Sequence, residues 1–148
     1  MKVRLLLVTL FCFFLQQIHA EFVPVEKAKK VAKNYYYERV NLEKAFDYSF
    51  IDLQLVTTRE SSKGEALYYI FNVKNHNGFM VVSAEDLVKP VLTYSIKGKY
   101  DAEKNVPAFN IFMDSYAEQI RMVRQNKQQY EKHVAWEKYS DVPSMEKS

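Results

Sequence analysis

The stretch LYYIFNVKNHNGFMVVSAEDLVKPVLTY, residues 67–94, decides the fold of this chain, because its apolar and β-branched residues are interrupted by two polar turn clusters. Its apolar side chains alternate between two faces, with Tyr69, Phe71 and Val73 on one and Tyr68 and Ile70 on the other. Lys74–Gly78 contains the Asn, His and Gly residues of a turn, and Phe79–Ser83 reads as the returning strand. Another strand begins at Val91, after Pro90. The stretch therefore predicts a series of antiparallel strands.

Amphipathic helices are predicted on both sides of these strands. Over Val25–Tyr37, apolar residues recur at helical spacing and lysines cover the opposite face. A longer helix is predicted from Pro107, which suits a first helical turn, to the low 130s, with Asn105 as its cap. Its expected buried stripe consists of Phe109, Phe112, Met113, Tyr116, Ile120 and Val123. Its expected outward-facing residues are Asp114, Glu118, Arg121 and Arg124.

The order of elements indicates the fold class. Ser49–Thr58 alternates and predicts one more half-buried strand before the strands already described. Short connections favour antiparallel pairing over parallel βαβ units. We therefore predict an α+β domain over residues 21–135, with an antiparallel β-sheet of about four strands flanked by an N-terminal helix and a long C-terminal helix. Residues 136–148 contain Trp136 and Tyr139 but are otherwise polar, and a frayed polar tail is expected there.

Residues 1–20 have the pattern of a secretory signal peptide. Lys2 and Arg4 form its positive start, Leu5–Leu15 forms its apolar centre, and Ile18-His19-Ala20 fits a cleavage site. The apolar run is too short to span a membrane. The mature chain is expected to begin near Glu21 and to be secreted or periplasmic.

Removal of this leader limits the chemistry that the mature chain can perform. Cys12, the single cysteine, leaves with the leader, which excludes a cysteine nucleophile and disulfides. The loss of Lys2 and Arg4 leaves 19 basic and 18 acidic residues, a formal net charge of +1 in place of +3. We therefore expect no nucleic-acid partner, and no membrane partner after signal cleavage.

The remaining residues contain no recognisable catalytic or metal-binding motif. His76 and His133 are far apart in sequence, whereas a zinc site needs about four ligands in close array. Ser83 and Ser95 have no evident histidine partner. The adjacent acids Glu85 and Asp86 are interpreted as a strand exit, with a metal site or an acid/base pair as the alternative. We therefore predict a protein that is not an enzyme and has no cofactor.

Five segments follow one another in a recognisable order: LYYIFN, GFMVVSAED, PVLTYS, GKYD and FMDSYAEQI. Together they resemble the propeptide of streptopain-type (C10) cysteine peptidases and the free-standing inhibitors related to that propeptide. The helix predicted over Val25–Tyr37 fits the amphipathic start of the family. The resemblance implies a twisted antiparallel sheet flanked by helices, in a domain that binds a C10 peptidase and blocks its active site.

The resemblance also implies where the inhibitory contact lies. In the family, the loop that leads into the last long helix reaches the catalytic centre and helps to hold the catalytic histidine loop out of place. The equivalent residues of this chain are Asn105, Val106, Pro107, Ala108, Phe109 and Asn110. The blocking asparagine of the family falls on Ala108 in an ungapped match, with Asn105 and Asn110 nearby.

Several functions are compatible with this resemblance. No catalytic domain follows the long helix, so we expect a secreted inhibitor that acts in trans on a separately encoded C10 peptidase. The alternatives are a detached propeptide that acts as a folding chaperone, the remnant of a truncated C10 zymogen, and an extracellular module that reuses the fold for structure or ligand binding.

Overall fold

The computed structural model describes residues 22–104 and 106–143, so the predicted leader and Asn105 lie outside the described residues. In chain order, the elements are helix α1 (Val25–Asn41), strands β1 (Leu53–Glu60), β2 (Ala66–Val73), β3 (Phe79–Ser83) and β4 (Val91–Ser95), helix α2 (Pro107–Gln125) and the short helix α3 (Ala135–Lys138). Short 3-10 turns lie at Tyr48–Phe50 and Lys127–Gln129.

The strands form a four-stranded antiparallel sheet in the order β1-β2-β3-β4, so each strand pairs with its neighbour in sequence. This arrangement confirms the predicted α+β class with an N-terminal helix and a longer C-terminal helix. The β2–β3 turn ends at Gly78, whose φ of +131° favours glycine. A β-carbon at Gly78 would lie 2.6 Å from a ring carbon of Tyr36, so α1 and this turn meet too closely for a larger residue.

Each face of the sheet is covered by a different helix, and β2 contributes to both cores. The core on the α1 side includes Tyr69, Phe71 and Val73 from β2 and Ala28, Val31, Ala32 and Tyr36 from α1. The core on the α2 side includes Tyr68 and Ile70 from β2 and Met113, Tyr116, Ala117 and Ile120 from α2. The alternation of β2 predicted from the sequence is therefore confirmed, because both faces of this central strand are buried.

Two boundaries before the sheet differ from the prediction. α1 continues past its predicted end to Asn41, whose side chain accepts the amide of Phe46 at 2.9 Å and so closes the helix. β1 begins at Leu53 because a 3-10 turn occupies the start of the predicted strand. A register shift between Leu55 and Thr57 interrupts the alternation, and Leu55 is 41% exposed rather than buried.

α2 also differs from its predicted form. It ends at Gln125 rather than in the low 130s, and its N-cap is Val106, with no side-chain capping bond. Phe112, expected in the buried stripe, is 50% exposed. Arg124, expected to face outward, has a side chain that is only 14% exposed and donates from Nε to Glu85 Oε2 at 2.9 Å. The prediction for Arg124 is wrong because a buried carboxylate lies beneath it.

The chain after α2 returns to the α1 side of the sheet and packs there, so the expectation of a frayed tail is wrong at Trp136 and Tyr139. Trp136 is 2% exposed, and its indole N–H donates to the Val88 carbonyl oxygen at 2.8 Å. Tyr139 is 5% exposed, and its carbonyl oxygen accepts the Asn34 side-chain amide at 2.9 Å. Two large aromatic side chains bury enough apolar surface to order this segment. Residues 135–139 are called the C-terminal clasp below.

Candidate functional site

The sequence-predicted site residues that the structure describes lie on the first turn of α2. Val106 is the N-cap, Pro107 is the first helical residue, and the Asn110 amide donates to the Val106 carbonyl oxygen at 3.0 Å. The ring of Pro107 holds the backbone in a conformation suited to a helix start. Val106, Pro107, Ala108 and Asn110 are exposed, whereas Phe109 is half-buried. The structure therefore brings five of the six predicted residues together, and Asn105 lies outside the described residues.

Phe109 attaches this turn to the sheet. Its ring centroid lies 6.2 Å from that of Phe79, at the start of β3, and 5.8 Å from that of Tyr100, in the loop before α2. The rings of Phe79 and Tyr100 are themselves 6.2 Å apart. Aromatic pairs at these separations contribute favourably beyond the area that they bury. Phe109 thus fixes the position of the first turn of α2, and its own ring faces the sheet.

The loop before α2 is held by backbone contacts to the β2–β3 hairpin. The Asn72 side chain donates from Nδ2 to the Tyr100 carbonyl oxygen and accepts the Tyr100 amide, both at 2.8 Å. The Gly78 amide donates to the Gly98 carbonyl oxygen at 2.9 Å. A side chain that pairs with both backbone groups of one residue acts like a further strand partner. These bonds hold Gly98 and Tyr100 against the β2–β3 hairpin, and the two bonds made by the Asn72 side chain are called the Asn72 clamp below.

Exposed apolar side chains continue the same surface along α2. Ile111 is 73% exposed and Phe112 is 50% exposed, next to Val106 at 51%. The α2 surface is defined here as Val106, Pro107, Ala108, Asn110, Ile111 and Phe112. Neither the exposure of Ile111 nor that of Phe112 was predicted from the sequence. The available signal was the position of Ile111 outside the buried stripe, since a large apolar residue on the outer face of a helix is a feature of contact surfaces.

The α2 surface contains no ionisable side chain, and two ion pairs lie on the neighbouring elements. Arg59 of β1 donates to Asp114 at 2.8 Å, at the edge of a groove of about 400 Å³ between α2 and the sheet. In the preceding loop, Lys104 lies 3.8 Å from Asp101. Burial raises the pKa of the Tyr116 hydroxyl, which lies under α2 and donates to the Leu92 carbonyl oxygen at 2.8 Å. This surface therefore presents apolar side chains and the Asn110 amide, with no ionisable group of its own.

Within residues 22–104 and 106–143, no group of three or more His, Cys, Asp and Glu side chains is arranged to hold a metal ion. None of the described helices has the length and apolar character that a membrane span requires.

Comparison with known families decides the identity of this domain. A family model described as Spi protease inhibitor matches residues 20–120. The chain belongs to the Spi protease inhibitor family. The match confirms the resemblance found in the sequence, and it includes the whole of Asn105–Asn110. The C-terminal clasp lies beyond the matched residues.

A curated protein is also similar to most of the chain. The thiol protease/hemagglutinin PrtT of Porphyromonas gingivalis is 26% identical over 114 residues, which is 76% of this chain. The chain spans 13% of the length of that protein. No solved structure matches the chain. The Spi protease inhibitor domain is therefore similar to part of a much larger thiol protease.

Proposed function

We propose that this Spi family chain is a secreted, non-catalytic inhibitor that acts in trans on a streptopain-like (C10) cysteine peptidase by occluding its active site. The family match carries the proposal, because it covers the segment that the resemblance assigns to the inhibitory contact. Similarity to a thiol protease supports a cysteine peptidase as the target. Residues 21–148 contain no cysteine and so no thiol nucleophile, which supports a non-catalytic role toward a cysteine peptidase.

The form of the α2 surface supports occlusion by a rigid helix start. Binding is strongest when little conformational freedom is lost, and Pro107, Phe109 and the Asn72 clamp restrict this region before any partner arrives. Ala108 occupies the position of the family's blocking asparagine and has no side-chain donor or acceptor. Under this proposal, Val106 and Asn110 on either side of Ala108 supply the contacts that fill the cleft.

The area buried in a stable complex is larger than the first helical turn alone can provide. Inhibitor complexes bury about 1,200–2,000 Å² in total. Ile111 and Phe112 extend the α2 surface along the helix, and Tyr100 and its loop border it on the other side. Apolar residues at the centre of an interface contribute most of its binding energy. We therefore expect the peptidase to contact the helix from Val106 to Phe112.

The experiment that tests this proposal compares two matched valines. Val106 and Val142 are 51% and 50% exposed, and only Val106 belongs to the α2 surface. The inhibition constant of the exported protein is measured against streptopain-like peptidases from the same organism. Val106→Asp should weaken inhibition at least about tenfold, or about 1.4 kcal/mol, because it buries a charge in the complex. Val142→Asp should leave inhibition unchanged, and both variants should keep the circular dichroism of the parent.

A folding chaperone is the second candidate, since the chain resembles part of a larger thiol protease. The refolding yield of the denatured peptidase, measured with and without this chain, separates the two functions. Raised yield with no inhibition of the folded peptidase would replace the first proposal by the second. Equal loss of inhibition in both valine variants would place the contact away from the α2 surface.

A further inference from the structure

A groove lies between β1 and the amino-terminal half of α2, beside the α2 surface. It has a volume of about 400 Å³ and shares Asn110 with that surface. Ile70 and Met113 give it a buried apolar lining. Sites that bind small molecules usually start at about 300 Å³, so the groove is large enough to hold a bound group. This depression is called the β1 groove below, and its other polar lining residues are Thr57, Thr58, Arg59, Tyr68 and Asp114.

Tyr68 differs from the other buried tyrosines. Tyr68 is 4% exposed, and its hydroxyl has no hydrogen-bond partner within residues 22–104 and 106–143. Buried hydroxyl groups are almost always hydrogen-bonded, because the loss of water without a new partner is costly. The Tyr68 hydroxyl therefore needs a partner that enters the groove from outside the chain. The hydroxyls of the other four buried tyrosines that the structure describes donate to acceptors within the protein: Tyr36, Tyr69, Tyr116 and Tyr139.

The charges beside Tyr68 balance each other. Arg59 Nη2 donates to Asp114 Oδ1 at 2.8 Å, so the lining combines one cation with one anion. This single bond leaves further N–H groups on Arg59 and a second oxygen on Asp114. Burial raises the pKa of the Tyr68 hydroxyl, which therefore stays protonated at neutral pH and can donate. A neutral group with both an acceptor and a donor fits this lining best, because a carboxylate or an ammonium would be repelled by one member of the pair.

We propose that the β1 groove binds an amide of the target peptidase, with the Tyr68 hydroxyl donating to the amide carbonyl oxygen. The amide is a backbone peptide group or an Asn or Gln side chain, since the two have the same chemistry. It is neutral, and it offers its oxygen to Tyr68 and Arg59 and its N–H to Asp114. Tyr68 is then a specificity-determining residue of the inhibitor.

This inference rests on the proposed inhibition of a peptidase and extends the contact beyond the α2 surface. A standard interface takes about 20–30 residues from each partner, whereas the α2 surface has six. The β1 groove adjoins that surface at Asn110, so a single partner can contact both. Apolar contacts at Ile111 and Phe112 would then be accompanied by a directed hydrogen bond at Tyr68.

The first test compares two tyrosines that differ in their hydrogen bonding. Tyr68→Phe removes only the hydroxyl without a partner, so it should leave the midpoint of thermal unfolding unchanged or higher. It should also weaken inhibition about fivefold, because one hydrogen bond of the complex is lost. Tyr116→Phe removes the bond to the Leu92 carbonyl oxygen and should lower the midpoint by about 4 °C. Inhibition per folded molecule should be unchanged in Tyr116→Phe.

The second test fills the groove instead of removing a donor. Thr57 lines the groove and is the cross-strand partner of Ile70, so Thr57→Phe places a ring where the amide would bind. We expect it to weaken inhibition at least as much as Tyr68→Phe. Gln54→Phe is the control, because Gln54 is exposed on the same strand and does not line the groove. All variants are measured against the peptidases used for Val106→Asp.

The outcomes separate this inference from the proposed function. If the parent protein inhibits a peptidase and Tyr68→Phe inhibits it equally well, the inference is wrong and the proposed function stands. If the parent inhibits none of the peptidases, the proposed function itself is wrong, and the inference is lost with it. A midpoint as low for Tyr68→Phe as for Tyr116→Phe would show that the Tyr68 hydroxyl is bonded within the protein, which also overturns the inference.

Discussion

The two ends of α2 have opposite surroundings. At the amino end, Val106, Ile111 and Phe112 are 51%, 73% and 50% exposed and carry no charge. At the carboxyl end, Arg124 is 14% exposed and is bonded to Glu85 and to two carbonyl oxygens. A single helix thus has one end available to a partner and one end that joins the fold together. Substitutions along it should separate loss of inhibition from loss of stability.

The largest effect is expected just beyond the carboxyl end, in the C-terminal clasp. Trp136→Ala should lower the free energy of unfolding by about 4 kcal/mol, because it removes a buried indole and its hydrogen bond to Val88. Urea unfolding followed by circular dichroism measures the loss, since the variant has no tryptophan fluorescence. Val134→Ala, at a side chain that is 77% exposed, is the control and should change little. A loss below about 1 kcal/mol for Trp136→Ala would show that the clasp unfolds separately from the domain.

The next effect tests the buried end of α2 itself. Arg124→Met should cost about 3 kcal/mol of unfolding free energy, because it leaves Glu85 charged, buried and without its cation. Arg121→Met is the matched control, since Arg121 is more exposed and pairs at the surface with Glu118 at 3.1 Å. Inhibition per folded molecule should be the same for both variants. A weaker inhibitor after Arg124→Met, at full folding, would contradict the separation of the two ends.

The third effect tests how the loop is attached to the exposed end. Asn72→Ala removes two hydrogen bonds to Tyr100 and should cost about 2 kcal/mol, at about 1 kcal/mol for each bond. It should also raise amide exchange in residues 98–104 and weaken inhibition. Gln54→Ala is the control, because Gln54 is exposed and is the cross-strand partner of Asn72. Unchanged exchange in the loop would show that the Asn72 clamp does not hold it.

The fourth effect is on inhibition rather than on stability. Phe112 and Met122 lie on the same helix and are 50% and 53% exposed. Phe112→Ala should weaken inhibition about fivefold, or about 1 kcal/mol, while changing the unfolding free energy by less than about 1 kcal/mol. Met122→Ala should change neither. If Met122→Ala weakens inhibition as much as Phe112→Ala, the contact is not confined to the amino end of α2.

The smallest effect is a pH dependence of the clasp. Burial alone would raise the pKa of Glu38, but hydrogen bonds with Lys138, Tyr139 and Arg39 outweigh it and hold that pKa below its ordinary value of 4.5. A carboxyl group with a lowered folded pKa stabilises the fold above its unfolded pKa, and this contribution is lost as the pH falls through the folded pKa. Stability should therefore fall on acidification below about pH 4.5. Glu38→Gln should flatten this part of the profile, measured as thermal midpoints between about pH 3 and pH 6. Identical slopes for the two proteins would contradict it.

Much of the scaffold and of the candidate site follows from local sequence signals. The alternation within residues 67–73 gives both faces of β2, because side-chain direction along a strand depends only on position. Gly78 marks its turn through a backbone conformation that other residues rarely adopt. Pro107 marks the start of α2 and so places Val106 and Asn110 on its first turn. The family resemblance assigned a role to this segment, which its local pattern alone does not reveal.

What the sequence by itself determined is therefore the period, direction and order of the elements. The tertiary structure alone decided the roles of residues whose partners are distant in the chain. Arg124 turns inward because Glu85, 39 residues earlier, is buried beneath it. Tyr139 is ordered because Asn34, 105 residues away, donates to its carbonyl oxygen. Local propensity cannot encode such pairs, since the free energy that stabilises them arises only when the sheet brings both partners out of water together.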